Sequence, residues 1–226
     1  MQISWQKHGL VQNGGVVSIL AWQHYDWLRQ GFSLKTAGNI SERFGETEES
    51  RKKITEILGL EPKQWMGMEQ VHGSRIVEVH PDSDYTETDG LITDKPGQLL
   101  AVVVADCVPL LFVDPVCRRI AVAHAGRRGT QLEIAKLTFK ELIKHGSRAQ
   151  DVQVAIGPSI GPCCYEVDPE THEVFDLWRH NEEQLRQVGA STIIRTDVCT
   201  KDHNDMFFSH RADDVEGRFA GLMGIA

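Results

Sequence analysis

Apolar positions crowd into the middle of the chain. Leu99 to Gly126 carries Leu-Leu-Ala-Val-Val-Val-Ala, then Val-Pro-Leu-Leu-Phe-Val, then Ile-Ala-Val-Ala. Short β-branched runs bounded by turn residues predict buried strands rather than helix. Asp114-Pro115 supplies a turn between two of them. Further strands are expected at Val16–Leu20, in two segments across 64–79 that flank a break at Glu69–Gly73, at Val152–Ile156 and at Thr192–Thr196. Arg75 to Val79 alternates cleanly, as a half-buried strand should. Helical spacing appears from about Thr47 to Leu58, where Ile54, Ile57 and Leu58 form a stripe that Gly59 ends; Pro62 then forbids continuation. One continuous helix is expected after Thr130, with Leu132, Ala135, Phe139, Leu142 and Ile143 on its apolar face and Gly146 at its end. Another is expected to start at Asp168-Pro169, the aspartate as cap and the proline in the first turn, with Val174, Leu177, Trp178 and Leu185 packing inward. Gly31 to Glu46 reads as loop, Asp89-Gly90 as a turn, and the segment beyond Cys199 as a loop returning to the core.

Composition narrows the function classes. The 226 residues carry a net charge of −8, which argues against nucleic acid or an anionic membrane as the main partner. The length suits one substantial core, and no linker divides it, so a single domain over 1–226 is expected. The amino terminus is polar with no apolar segment after it, no run approaches membrane-spanning length, and the cysteine count is an odd five. These point to a cytoplasmic protein rather than a disulfide scaffold.

Reactive side chains interrupt the apolar runs. A buried cysteine commonly just fills space, and a single histidine beside a core is usually a satisfied structural group. The set is more informative. His72 stands next to Gly73 at the strand break, and Cys107 and His124 at strand ends. Two imidazoles and a thiolate suit zinc, and three protein ligands leave a fourth position for water. A metal-free pair, with Cys107 as nucleophile and His124 as base, fits the same residues. Asp106 should point to the opposite strand face from Cys107. Arg127 and Arg128 lie in a glycine-flanked loop that opens onto a helix amino terminus, a suitable place for phosphate. Cys163 and Cys164 are neighbours whose side chains should diverge, so neither a vicinal disulfide nor a joint metal site is expected, and one of them should be buried and inert.

Around these residues the sequence resembles the YfiH/laccase-domain family. Glu-Gln-Val-His-Gly surrounds His72, Ala-Asp-Cys-Val-Pro surrounds Cys107, and His-Ala-Gly-Arg-Arg-Gly begins at His124. The likeness continues through Gly157–Tyr165, Cys199-Thr200, Phe207–Arg211 and Gly217-Arg218, so it covers most of the chain in order. The family usually has Trp where Arg127 stands and a second arginine where Ala212 stands. Asn39-Ile40 and Gly45-Glu46 resemble its Asn-Leu and Gly-Asp, after a shortened loop.

The resemblance implies His72, Cys107 and His124 as zinc ligands. It implies an α+β fold of mixed β-sheets with flanking helices, YfiH-like and loosely similar to a group of cysteine hydrolases. It also implies phosphorolysis of adenosine, inosine and methylthioadenosine to free base and a ribose 1-phosphate, together with adenosine deamination. Cys107, His124 and Arg128 are then the catalytic candidates, with purine nucleosides and phosphate as partners and a monomer as the expected state. A copper-dependent phenol oxidase is the alternative, since His₂Cys ligation can hold copper; the ten histidines form no His-X-His pair. A metal-free cysteine hydrolase and a metal-stabilised binding module complete the set.

Overall fold

The computed structural model describes residues 3–61, 64–168, 170–212 and 217–226. The strands are β1 (Leu10–Asn13), β2 (Val16–Ile19), β3 (Leu28–Ser33), β4 (Gln64–Met66), β5 (Ile76–Glu78), β6 (Gly90–Thr93) and β7 (Gln98–Val104), followed by β8 (Val108–Asp114), β9 (Arg119–Ala125), β10 (Gln153–Ile156), β11 (Glu166–Asp168), β12 (Glu173–Val174), β13 (Thr192–Arg195) and β14 (Phe219–Ile225). The α-helices are α1 (Glu48–Leu58), α2 (Arg127–Gln131), α3 (Ile134–Lys144) and α4 (Leu177–Gln187). The roles expected of Pro62 and Pro169 lie outside the described residues.

Two six-stranded mixed sheets form, ordered β1-β2-β3-β14-β7-β4 and β13-β10-β8-β9-β6-β5. This is the α+β arrangement that the sequence resemblance implies. The central strands are apolar on both faces because both faces are covered. On β7, Leu100, Val102 and Val104 join Leu111 and Val113 of β8 and Ile120 and Val122 of β9 in the core between the sheets. The alternate residues face outward. Leu99 and Ala101 meet Ile54 and Leu58 of α1, while Leu110, Phe112, Ala121 and Ala123 meet Phe139 and Leu142 of α3 and Leu177 and Leu185 of α4. The order is therefore helix, sheet, sheet, helices. His124 has the parity of Ile120 and Val122, which turns its ring toward the inter-sheet side.

Several expectations are corrected. The stretch read as loop from Gly31 contains half of β3. Gly31 is needed there because a Cβ would come within 2.7 Å of Val16 Cγ1 and Val17 O. The continuous helix after Thr130 is two helices, broken where Glu133 takes φ 61, and Leu132 lies exposed at the break. The helix expected at Asp168 begins at Leu177, where Asp176 caps it by accepting from the Arg179 N–H at 3.0 Å; Asp168 instead ends β11, and Val174 is exposed. Gly90 opens β6 rather than closing a turn. The apolar tail Phe219–Ile225 is a central strand, β14.

Candidate active site

Two loops and the last residues of a strand meet at one end of the second sheet. The break between β4 and β5 brings His72, the connection between β7 and β8 brings Cys107, and β9 brings His124. One ligating atom from each lies within 4.8 Å of the other two. Cys107 Sγ is 3.8 Å from His72 Nε2, and the two imidazole centroids are 4.7 Å apart. The left-handed residue at the break is His72 itself, φ 59, rather than Gly73. Asp106, at φ 85, makes the same kind of turn just before Cys107. The Asp106 carboxylate points away from the other three, as expected, but by this turn rather than by strand alternation, accepting from Thr200 Oγ1 at 2.7 Å and the Arg211 N–H at 2.7 Å.

Asp89 holds the arrangement together, and it was missed because Asp-Gly reads as a turn. Its buried carboxylate accepts from the Nδ1–H of His124 at 2.8 Å and from the backbone N–H groups of Val71, His72 and Gly73 at 3.2, 3.0 and 2.7 Å. One anion thus orients an imidazole and folds the loop that carries the other. Burial pushes the Asp89 carboxyl upward, but the His124 hydrogen bond, the Gly73 N–H and the charge on His124 outweigh it and hold the group below the usual range. The Nδ1 bond leaves His124 Nε2 as its free ring nitrogen.

The electrostatics favour charged partners. Burial pushes the Cys107 thiol up, yet the charge of His124 and hydrogen bonds from both imidazoles bring it down to about 6. Burial pushes His124 down, yet the Cys107 sulfur and Asp89 raise it to about 9. A thiolate beside imidazoles is a set that a thiophilic cation can take over by displacing ring protons. The space fits as well. A Cβ on Gly126 would lie 2.7 Å from His72 Cδ2 and 2.9 Å from Cys107 Sγ, so this position must lack a side chain for the donors to converge. The donor chemistry and this cradle fit a zinc-sized ion.

Two cavities have Ala105, His72, Cys107 and His210 in common among their lining residues. The larger, about 820 Å³, is lined by Phe44, Trp65, Gln70, His124 and Arg218 among others. Gln70 is fixed there by paired hydrogen bonds with Val103, at 2.7 and 2.8 Å. Arg218 lies over the Phe44 ring at 4.4 Å. The smaller, about 450 Å³, is lined by Arg127, Arg128, Tyr165 and Arg211. Arg211 stacks over Tyr165 at 5.2 Å and adds a cation not singled out from the sequence. The helix that opens after Gly126 is only five residues long, so the arginines, rather than a helix terminus, carry the positive character of this cavity.

The comparisons with known proteins agree with one another. The family profile described as multi-copper polyphenol oxidoreductase laccase matches residues 32–175 and 168–226. The chain is 32% identical to the purine nucleoside phosphorylase YlmD of Geobacillus stearothermophilus, across 97% of this chain and 94% of that protein. It is 28% identical to the purine nucleoside phosphorylase YfiH of Escherichia coli, over 84% and 86%. The crystal structure of the hypothetical protein YfiH from Bacillus licheniformis superposes with a TM-score of 0.85 at 27% identity, covering 96% and 99%.

Proposed function

The chain belongs to the multi-copper polyphenol oxidoreductase laccase family, whose relatives include purine nucleoside phosphorylases, and on that premise we propose that it cleaves purine nucleosides with phosphate at a zinc site formed by His72, Cys107 and His124. The observation that carries this reading is the convergence of these three side chains beside two cavities that share His72 and Cys107, one with aromatic residues in its lining and one rich in arginine.

When bound, zinc supplies a Lewis acid and brings the pKa of a bound water toward neutrality. The chain's own residues do the rest. Arg128, with Arg127 and Arg211, attracts phosphate by charge and forked donors. Phe44 and Trp65 offer flat surfaces for a base. In phosphorolysis the bond from C1′ to the base nitrogen breaks, a bond from C1′ to a phosphate oxygen forms, and the base leaves with a proton. Adenosine, inosine and methylthioadenosine are the proposed substrates, and adenosine deamination at the same centre is the proposed second activity, with Cys107 and His124 holding the ion.

Replacing Cys107 by alanine is expected to abolish zinc binding at this site and nucleoside turnover together. Turnover that survives this change, or survives exhaustive chelation, overturns the reading; in the second case alkylation of Cys107 would identify a metal-free hydrolase. Oxygen uptake with a phenol, restricted to copper-loaded protein, would identify an oxidase instead.

A further inference from the structure

A second group of soft ligands lies away from the first. Cys163 and Cys164 come from the loop after β10, and Cys199 and Asp202 from the turn after β13. Their ligating atoms all lie within 4.8 Å of one another. Cys163 Sγ is 3.3 Å and Cys164 Sγ 3.2 Å from the two oxygens of Asp202. All three cysteines are free thiols. The expectation that the adjacent cysteines diverge, with one of them buried, is corrected here. Cys163 is exposed and Cys164 half-buried. The cause is a tight turn, closed by the Cys164 N–H donating to Gly161 O at 3.0 Å, which replaces the alternation of an extended strand.

We propose that Cys163, Cys164, Cys199 and Asp202 bind a second, structural zinc ion. Tetrahedral bonds of about 2.3 Å to sulfur and about 2.0 Å to oxygen place neighbouring ligands roughly 3.5–3.8 Å apart. The observed sulfur–oxygen separations therefore need only small adjustment. Three thiolates select a thiophilic ion over calcium or magnesium. Four protein ligands leave no open position, as in structural rather than catalytic sites. The surroundings already support such a role. Cys199 Sγ accepts the Gly161 N–H at 3.3 Å, the kind of outer hydrogen bond that orients a ligating sulfur.

The two segments are also joined by backbone before any ion is considered. Ser159 N–H donates to Val198 O at 3.1 Å and Thr200 N–H to Ser159 O at 3.0 Å. An ion at this point would fasten their outer ends. Tyr165, next to Cys164, lines the arginine-rich cavity, so the fastening reaches the first site through one residue. The proposal does not depend on the reading of the first site.

The test is elemental analysis of untagged full-length protein purified under reducing conditions without chelator. The parent is compared with Cys107→Ala, Cys163→Ser and Asp202→Asn, the last two being exposed positions chosen to preserve folding. Cys107→Ala is expected to retain about one equivalent of zinc, and Cys163→Ser and Asp202→Asn to lose about one equivalent relative to the parent. Cobalt-loaded Cys107→Ala should show strong thiolate-to-cobalt absorption with tetrahedral ligand-field bands, and Cys163→Ser should weaken it. Zinc content equal to the parent in both Cys163→Ser and Asp202→Asn overturns the proposal. So does an intact mass showing a disulfide among these cysteines in protein prepared without oxygen. Failure at the first site alone would leave parent and Cys107→Ala with the same zinc, still lost from Cys163→Ser.

Discussion

Replacing Asp89 with asparagine keeps the side chain's shape and removes its charge. In the parent, one carboxylate oxygen accepts from His124 Nδ1 and His72 N, and the other from Val71 N and Gly73 N. An amide oxygen can replace only one of these acceptors. If it faces His124, the NH₂ group confronts the Val71 and Gly73 N–H groups, and two hydrogen bonds to a charged acceptor are lost, each about 1.5–3 kcal/mol. If the NH₂ faces His124, it donates to Nδ1 and moves the ring proton to Nε2, the nitrogen needed for a metal. Both orientations weaken metal binding, by the roughly 10–100-fold typical of lost outer-shell partners. Taking the lower bound for two bonds, metal-free protein should lose about 3 kcal/mol, a fall in Tm of roughly 6–12 °C for a chain of this size. The assays are zinc competition against a chromophoric chelator and thermal unfolding of the chelated protein. Affinity within about twofold of the parent, with an unchanged Tm, would refute the idea that this carboxylate organises the site.

Gly126→Ala should fold normally, because Gly126 has φ −75 and ψ 178, yet lower zinc affinity about tenfold or more by pressing on His72 and Cys107; unaltered affinity in the same competition assay would count against the cradle. In metal-free protein the Cys107 sulfur loses its proton above about 6 rather than the usual 9.0. Its alkylation by iodoacetamide, followed by peptide mapping, should therefore fall as pH drops through about 6, and a midpoint near 9.0 would contradict the thiolate–imidazolium pairing. Arg128→Ala should raise the KM for phosphate by roughly tenfold, equivalent to one charge-assisted contact of about 1.4 kcal/mol, while the nucleoside KM changes little; an unchanged phosphate KM would remove Arg128 from the proposed anion site.

Much of this was legible in the sequence, for identifiable reasons. The runs that become β7, β8 and β9 are unbroken and β-branched, and α1 has both its stripe and a Gly59 cap in the left-handed region at φ 61. Cys107 and His124 stood out because reactive groups interrupt apolar context, and His72 because it stands beside Gly73 at a break between strands. What stayed hidden depended on tertiary packing. β3 and β14 were obscured by Gly31, Gly221 and Gly224, which read as loop residues but answer close approach. A Cβ at Gly221 would meet Pro109 at 2.9 Å, and one at Gly224 would meet Leu60 at 2.7 Å. Asp89 resembles any turn aspartate until its four donors arrive from elsewhere in the chain. The Cys163–Cys164 group depends on a turn conformation that strand parity cannot anticipate.

The position of β14 in its sheet governs the order of assembly. It is hydrogen-bonded to β3 on one side and β7 on the other, so among the described strands the ladder joins β1, β2 and β3 to β7 and β4 through β14. The described strands of the second sheet end at Arg195, so their pairing does not wait for β14, whereas the first sheet shows two raw edges until β14 is in place. A nascent chain arrested before Phe219 would therefore carry both halves of an unfinished sheet, each ready to pair with a foreign strand.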